Sequence, residues 1–247
     1  MTALAALTER AVLASLRDRD LLFAILAPVV TFVGFTFALQ NVINTGGMTY
    51  PQYVLPAVVV QAMLLGALTT SEAAAKDQRP GFGVRLRTLP ISALVPLSAR
   101  MMYCLIRGAL SVFAAIAIAY PFGFRMAGGF VYAVAFVVVA LLLTVALSLG
   151  ADATGSIGWK LDAASQLLLI PQLLLVLLST GLAPAEAFPG WLQPFVRYQP
   201  VSQVTETLRG FASGHVIPSN LAASLAWCLG LLAVFGVIAL RMQRRAQ

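Results

Sequence analysis

Six long runs of apolar residues, each wide enough to span a lipid bilayer, govern what this chain can become. Residues 21–42 read LLFAILAPVVTFVGFTFALQNV and carry no charge. At about 1.5 Å per residue a helix over them reaches roughly 33 Å, enough to cross hydrocarbon about 30 Å thick. Five more runs follow at about 51–71, 101–120, 129–150, 163–182 and 221–240. They are continuous, whereas the strands of a membrane barrel alternate over about 10 residues. Backbone polar groups in lipid must be satisfied within their own segment, so runs of this kind are helices. Composition agrees. Only 10% of the residues are charged, 60% are apolar and the mean hydropathy is +0.90, against roughly 25% charged residues in a soluble domain. The expected fold is an all-α integral membrane protein, one transmembrane domain over 1–247 with six transmembrane helices.

The segments between the runs differ in kind. Residues 1–20 contain Glu9, Arg10, Arg17, Asp18, Arg19 and Asp20, which is not the pattern of a secretory signal. Leu4, Leu7, Ala11 and Leu16 approximate one helical face, so this stretch reads as an interfacial helix, with a frayed cytoplasmic tail as the other reading. Residues 72–100 form the most polar connection, holding Glu72, Lys76, Asp77, Arg79, Arg85, Arg87 and Arg100, with a stop expected where Leu89 precedes Pro90. Pro171 interrupts the fifth run, and a kink rather than a break is expected there. In 183–218, Phe188, Trp191, Leu192, Phe195 and Val196, then Val201, Val204, Leu208 and Phe211, recur at helical spacing. Two short external helices, amphipathic or re-entrant, are expected, the second opening at Pro200.

Charge sets the orientation. With the N-terminus in the cytoplasm, the inside segments hold twelve basic residues: Arg10, Arg17, Arg19, Lys76, Arg79, Arg85, Arg87, Arg100, Lys160, Arg241, Arg244 and Arg245. The outside segments hold three, Arg125, Arg197 and Arg209. Basic residues accumulate on the cytoplasmic side, so both termini are expected there. The net charge of +7 comes from residues flanking apolar runs, where anionic lipid headgroups attract them. No basic stripe interleaves with aromatics, and nucleic acid is excluded as a partner.

Little catalytic chemistry is available. His215 is the only histidine, and Cys104 and Cys228 each sit inside an apolar run, which leaves no metal cluster. The phosphate-cradling motif G-x-x-x-x-G-K-[ST] is absent. Glu72, Asp77, Asp152 and Asp162 fall at the expected membrane edges, and no acid lies deep in a run, as ion-coupled carriers require. Arg107 is the one charge within a span. Either it snorkels to the cytoplasmic headgroups or it faces an anionic substrate or lipid phosphate.

Four places carry a resemblance covering nearly the whole chain. Arg17 precedes the apolar run containing Pro28. Tyr53-Val54-Leu55-Pro56 opens the second run. Lys76 to Pro90 reads KDQRPGFGVRLRTLP. Ser179-Thr180-Gly181-Leu182-Ala183-Pro184 is followed by Phe188-Pro189-Gly190-Trp191-Leu192-Gln193, Pro200 and Arg209. Together they resemble the permeases of type-2 ABC exporters, in particular the daunorubicin/doxorubicin-resistance subfamily.

The resemblance implies roles by position. Asp77, Gly81, Arg85, Arg87, Leu89 and Pro90 would belong to a cytoplasmic coupling helix docking on an ATPase subunit. Ser179, Gly181, Pro184, Pro189, Trp191, Pro200 and Arg209 would form an external gate. Two departures stand out: Thr180 separates the serine from the glycine, and Gln199 stands where the family has asparagine. The resemblance further implies a bacterial plasma membrane and a second permease, identical or related. It implies no cofactor on this chain, with ATP and Mg bound by a partner ATPase, and an amphipathic drug or lipid as cargo. A membrane scaffold without transport and an ion-driven carrier are the competing readings.

Overall fold

The computed structural model describes residues 3–40, 48–77, 92, 94–156 and 161–245. All regular structure among them is helical. Helix α1 spans Ala3–Arg17, α2 Asp20–Leu39, α3 Tyr50–Asp77, α4 Leu94–Ala119 and α5 Gly129–Gly155. Then come α6 (Leu161–Leu177), a 3-10 turn (Ala185–Ala187), α7 (Gln193–Tyr198), α8 (Pro200–Ser213) and α9 (Pro218–Arg245).

Five helices, α2, α3, α4, α5 and α9, are long and apolar enough to cross a bilayer. The fifth expected span, α6, has 17 residues, about 25 Å of helix. It falls just short of that length, although Leu168–Leu177 is apolar. Pro171 lies within it and the helix runs through, as Pro28 and Pro56 lie within α2 and α3.

Packing explains the order of burial. In lipid, apolar side chains gain little by leaving hydrocarbon for protein, so close helix contact rests on small residues and polar partners. Helix α3 is the axis: it touches α2, α4, α5, α6 and α8, and 78% of its most apolar window is buried, against 11% for α9. Val54, Leu55, Val58, Val59 and Met63 of α3 pack with Phe32, Val112, Phe136, Leu143, Val204 and Leu208 in the core. Glycines let the helix backbones approach. A Cβ on Gly155 of α5 would run into the Ser71 carbonyl of α3, and one on Gly108 of α4 would stand 3.1 Å from Thr144 of α5. Meanwhile Val30, Phe37, Phe113, Phe130 and Ile170 face outward, as side chains in contact with lipid do.

Four expectations need correction. The polar connection set at 72–100 is shorter, because α3 continues to Asp77 and α4 begins at Leu94. Pro96 is accommodated in the first turn of α4, where a missing N–H costs nothing. The helix of residues 1–20 forms, but it turns Leu7, Ala11, Val12 and Ser15 toward the protein and leaves Leu16 exposed. Of the two helices expected in 183–218, the first is only Gln193–Tyr198, leaving Trp191 in a turn and 80% exposed. The second, α8, is buried on almost every side between α3, α5 and α9.

Candidate functional site

Two polar clusters stand at opposite ends of the α3 axis. The first surrounds the C-terminal end of α3. Arg100, in the second turn of α4, donates from Nε to Asp152 Oδ1 of α5 at 2.5 Å and from Nη1 to Asp77 Oδ2 of α3 at 3.0 Å. Asp152 is 1% exposed and the Arg100 side chain 13%. One guanidinium fork thus ties three helices, a geometry that a lysine's point charge cannot supply. Asp152 is therefore not a solvated acid at a membrane edge. It sits inside α5, which continues past it to Gly155.

Nearby, Arg107 is 6% exposed and pairs with Asp20 at the start of α2, Nε to Oδ2 at 3.1 Å. Tyr103 O–H donates to the same oxygen at 2.5 Å. The snorkelling reading of Arg107 does not hold, since Asp20 meets the guanidinium within the protein. Arg19, in the left-handed region at φ 61°, makes the sharp turn from α1 that delivers Asp20 there, a conformation costing about 1–2 kcal/mol for a residue with a Cβ.

The second cluster surrounds the N-terminal end of α3. Arg209 of α8 is buried, and its Nη2 donates to the Tyr53 carbonyl at 3.0 Å and the Thr180 carbonyl at 3.3 Å. Its Nη1 donates to Glu206 at 2.6 Å, and the guanidinium lies 3.8 Å over the Tyr53 ring, a cation–π contact. Tyr53 O–H donates to the Thr180 carbonyl at 3.0 Å, and the Thr180 N–H donates to Ser202 Oγ at 3.0 Å. Gly181 N–H donates to Ser179 Oγ. A Cβ on Gly181 would stand 2.8 Å from Ala57 of α3. Gln199 Nε2 donates to the Leu178 carbonyl, fastening the start of α8 to the end of α6.

The residues predicted from sequence divide accordingly. Arg209 meets Tyr53 directly, and Ser179 and Gly181 flank Thr180, whose carbonyl accepts from both Tyr53 and Arg209, so two separate motifs meet in one cluster. Pro184 leads the 3-10 turn and Pro200 opens α8. Pro189 and Trp191 lie on the surface, away from it. Asp77 joins the Arg100 cluster, whereas Gly81, Arg85, Arg87, Leu89 and Pro90 lie outside the described residues. The sequence reading missed Arg100, Asp152, Asp20 and Tyr53 as site residues. Thr180, which marks a departure from the expected motif, is the hub of the second cluster.

A chain with five apolar spanning helices and polar clusters at both ends of its central one is built to connect two sides of a membrane. The sequence model of the ABC-2 type transporter family matches residues 2–212. The chain belongs to the ABC-2 type transporter family. It is similar to the doxorubicin resistance ABC transporter permease protein DrrB of Mycobacterium tuberculosis, with 31% identity covering 90% of this chain and 82% of that one. The probable doxorubicin resistance permease DrrC of the same organism is 26% identical over 87% of this chain and 78% of its own. The daunorubicin resistance permease DrrB1 of Streptomyces coeruleorubidus is 25% identical over 91% and 80%. The ABC-2 permease described here is thus a multi-pass plasma-membrane protein of bacteria and a transmembrane subunit of an ABC exporter. In this family ATP and Mg act through a partner ATPase, and permeases work in pairs.

Proposed function

We propose that this chain moves an amphipathic drug or lipid outward across the bacterial plasma membrane, powered by a separate cytoplasmic ATPase that docks on its 76–93 region. The observation that carries this reading is the Arg100 clamp. The cytoplasmic stretch leaves α3 at Asp77 and returns at Leu94, and Arg100 grips Asp77 and Asp152 together. A push delivered between those two points is felt by α3, α4 and α5 at once. Packed helices respond to such a push as rigid bodies with discrete arrangements.

The remaining assignments follow from this reading. Six spans, with α6 as the fifth and both termini cytoplasmic, agree with the distribution of basic residues. Arg85 and Arg87, with Gly81, Leu89 and Pro90, form the coupling helix that meets the ATPase. Tyr53, Ser179, Thr180, Gly181 and Arg209 form the external gate. The chain binds no nucleotide itself, and a second permease copy or a related permease completes the pathway. The names of the relatives, doxorubicin and daunorubicin resistance permeases, favour an amphipathic cargo. The ion-driven alternative would need an acid free to bind the ion within the bundle. Among the described residues Asp152 is the one fully buried acid, and Arg100 already neutralises it, while Glu72 is half-buried beside an open cavity and keeps access to water.

The test is co-purification of the tagged chain from its native membrane in mild detergent, read by mass spectrometry, beside Arg85→Glu/Arg87→Glu. Recovery of an ATPase with the parent and its loss with the double variant support the reading. An intact permease complex that retains no ATPase in either sample contradicts it.

A further inference from the structure

Beside the Arg100 cluster a cavity of about 690 Å³ opens between α1, α2, α3 and α4, within the range of drug-sized sites. Its charged lining is almost fully paired. Lys76 meets Asp18, Arg100 meets Asp77, Arg107 meets Asp20, and Arg10 has a partner of its own. Glu72 also lines the cavity, half-buried, and makes no hydrogen bond or ion pair with any described residue. The walls have a direction. Leu65, Leu68 and Glu72 follow one another along one face of α3, which places the carboxylate about 10 Å beyond Leu65 toward the helix end. On α2, Phe23 and Ala27 add apolar surface on the Leu65 side, beside the Arg107–Asp20 pair, which is already neutralised, and Tyr103 lines the cavity from α4.

From this geometry we propose that the cavity takes an amphipathic organic cation arriving from the cytoplasmic leaflet, with Glu72 as its charge partner and the Leu65, Leu68 and Phe23 surface holding its apolar body. The proposal rests on the export reading above and on its orientation, which set the cavity at the inner face of the membrane. The occupant follows from complementarity. An anion would meet a carboxylate whose cationic neighbours are already engaged. A neutral apolar molecule would leave that carboxylate desolvated and unpaired, which is unfavourable. A cation joined to a flat apolar body satisfies both ends of the cavity.

The test uses the purified permease with its ATPase in nanodiscs without nucleotide. The probes are the fluorescent cation rhodamine 6G and a neutral boron-dipyrromethene dye of similar size, both read by anisotropy. In Glu72→Gln the cation binds at least tenfold more weakly and the neutral dye changes less than twofold, while Glu72→Asp stays within threefold of the parent. A second readout leaves Glu72 in place: Thr69→Cys, on the same wall, is modified by a maleimide at least threefold more slowly with the cation and at an unchanged rate with the neutral dye. Equal weakening of both dyes, unchanged cation binding in Glu72→Gln, or no protection of Thr69→Cys overturns the proposal. Failure to capture an ATPase would instead sink the export reading, and the same binding curves, recorded on the permease alone in nanodiscs, would still decide the cavity.

Discussion

Arg100 and Asp152 are joined at 2.5 Å, with the aspartate 1% exposed, although 52 residues separate them in the chain. The pair closes the end of the helix bundle at which α3 ends at Asp77 and α4 begins at Leu94. Removing one partner strands the other as a buried charge, which typically costs about 3–5 kcal/mol. Arg100→Ala and Asp152→Ala are therefore expected to lose about that much stability, read by thermal unfolding in nanodiscs. Asp77→Ala should lose less, because Asp77 is 30% exposed and water replaces part of the contact. Equal losses for Asp77→Ala and Asp152→Ala would contradict the geometry.

At the other end of α3, Arg209 binds two carbonyls, a carboxylate and an aromatic face together. Arg209→Lys keeps the charge and loses the fork, so destabilisation of about 2–3 kcal/mol is expected. Tyr53→Phe removes only the hydroxyl bond to Thr180 and should cost about 1 kcal/mol. A lysine variant as stable as the parent would show that the fork is dispensable.

Helix contact by way of glycine gives a separate test. Gly155 stands against the Ser71 backbone and Ala74 of α3, whereas a Cβ on Gly34 of α2 would meet nothing within 4 Å. Gly155→Ala is expected to destabilise by about 1–3 kcal/mol through overpacking. Gly34→Ala should be neutral or stabilise by up to about 1 kcal/mol, because alanine favours helix. Thermal unfolding of the two variants side by side decides the matter.

Orientation is tested by labelling single cysteines in intact cells with a membrane-impermeant maleimide. Tyr198→Cys, 71% exposed in the parent, should label from outside. Glu9→Cys on α1 should label only after the cells are opened. Labelling of both from outside would overturn the six-span topology.

Much of this architecture is readable in the sequence for physical reasons. Charge-free runs such as 21–42 must be helical in lipid, and Pro200 suits the first turn of a helix. The clusters are less readable. Asp152 and Arg100 resemble edge residues because hydropathy falls off there, yet both helices continue past the apolar run. They do so because each charge finds the other and Gly155 permits close approach. Helix α8 reads as amphipathic, with Val201, Val204, Leu208 and Phe211 on one face. Its polar face is buried too: Thr207 meets Ser224 at 2.7 Å, and Arg209 meets Tyr53. Those partners are distant in sequence, and local periodicity carries no trace of them. Tyr53 and Thr180 likewise belong to separate motifs that only the fold brings together.

The most direct test of export powered by a partner ATPase is transport by the permease and its ATPase in sealed liposomes. Extrusion of rhodamine 6G that requires ATP and Mg, stops with vanadate and falls at least tenfold in Arg85→Glu/Arg87→Glu is the predicted result. Movement of the dye driven by a proton or sodium gradient without ATP, at the same rate in the parent and the double variant, would contradict it.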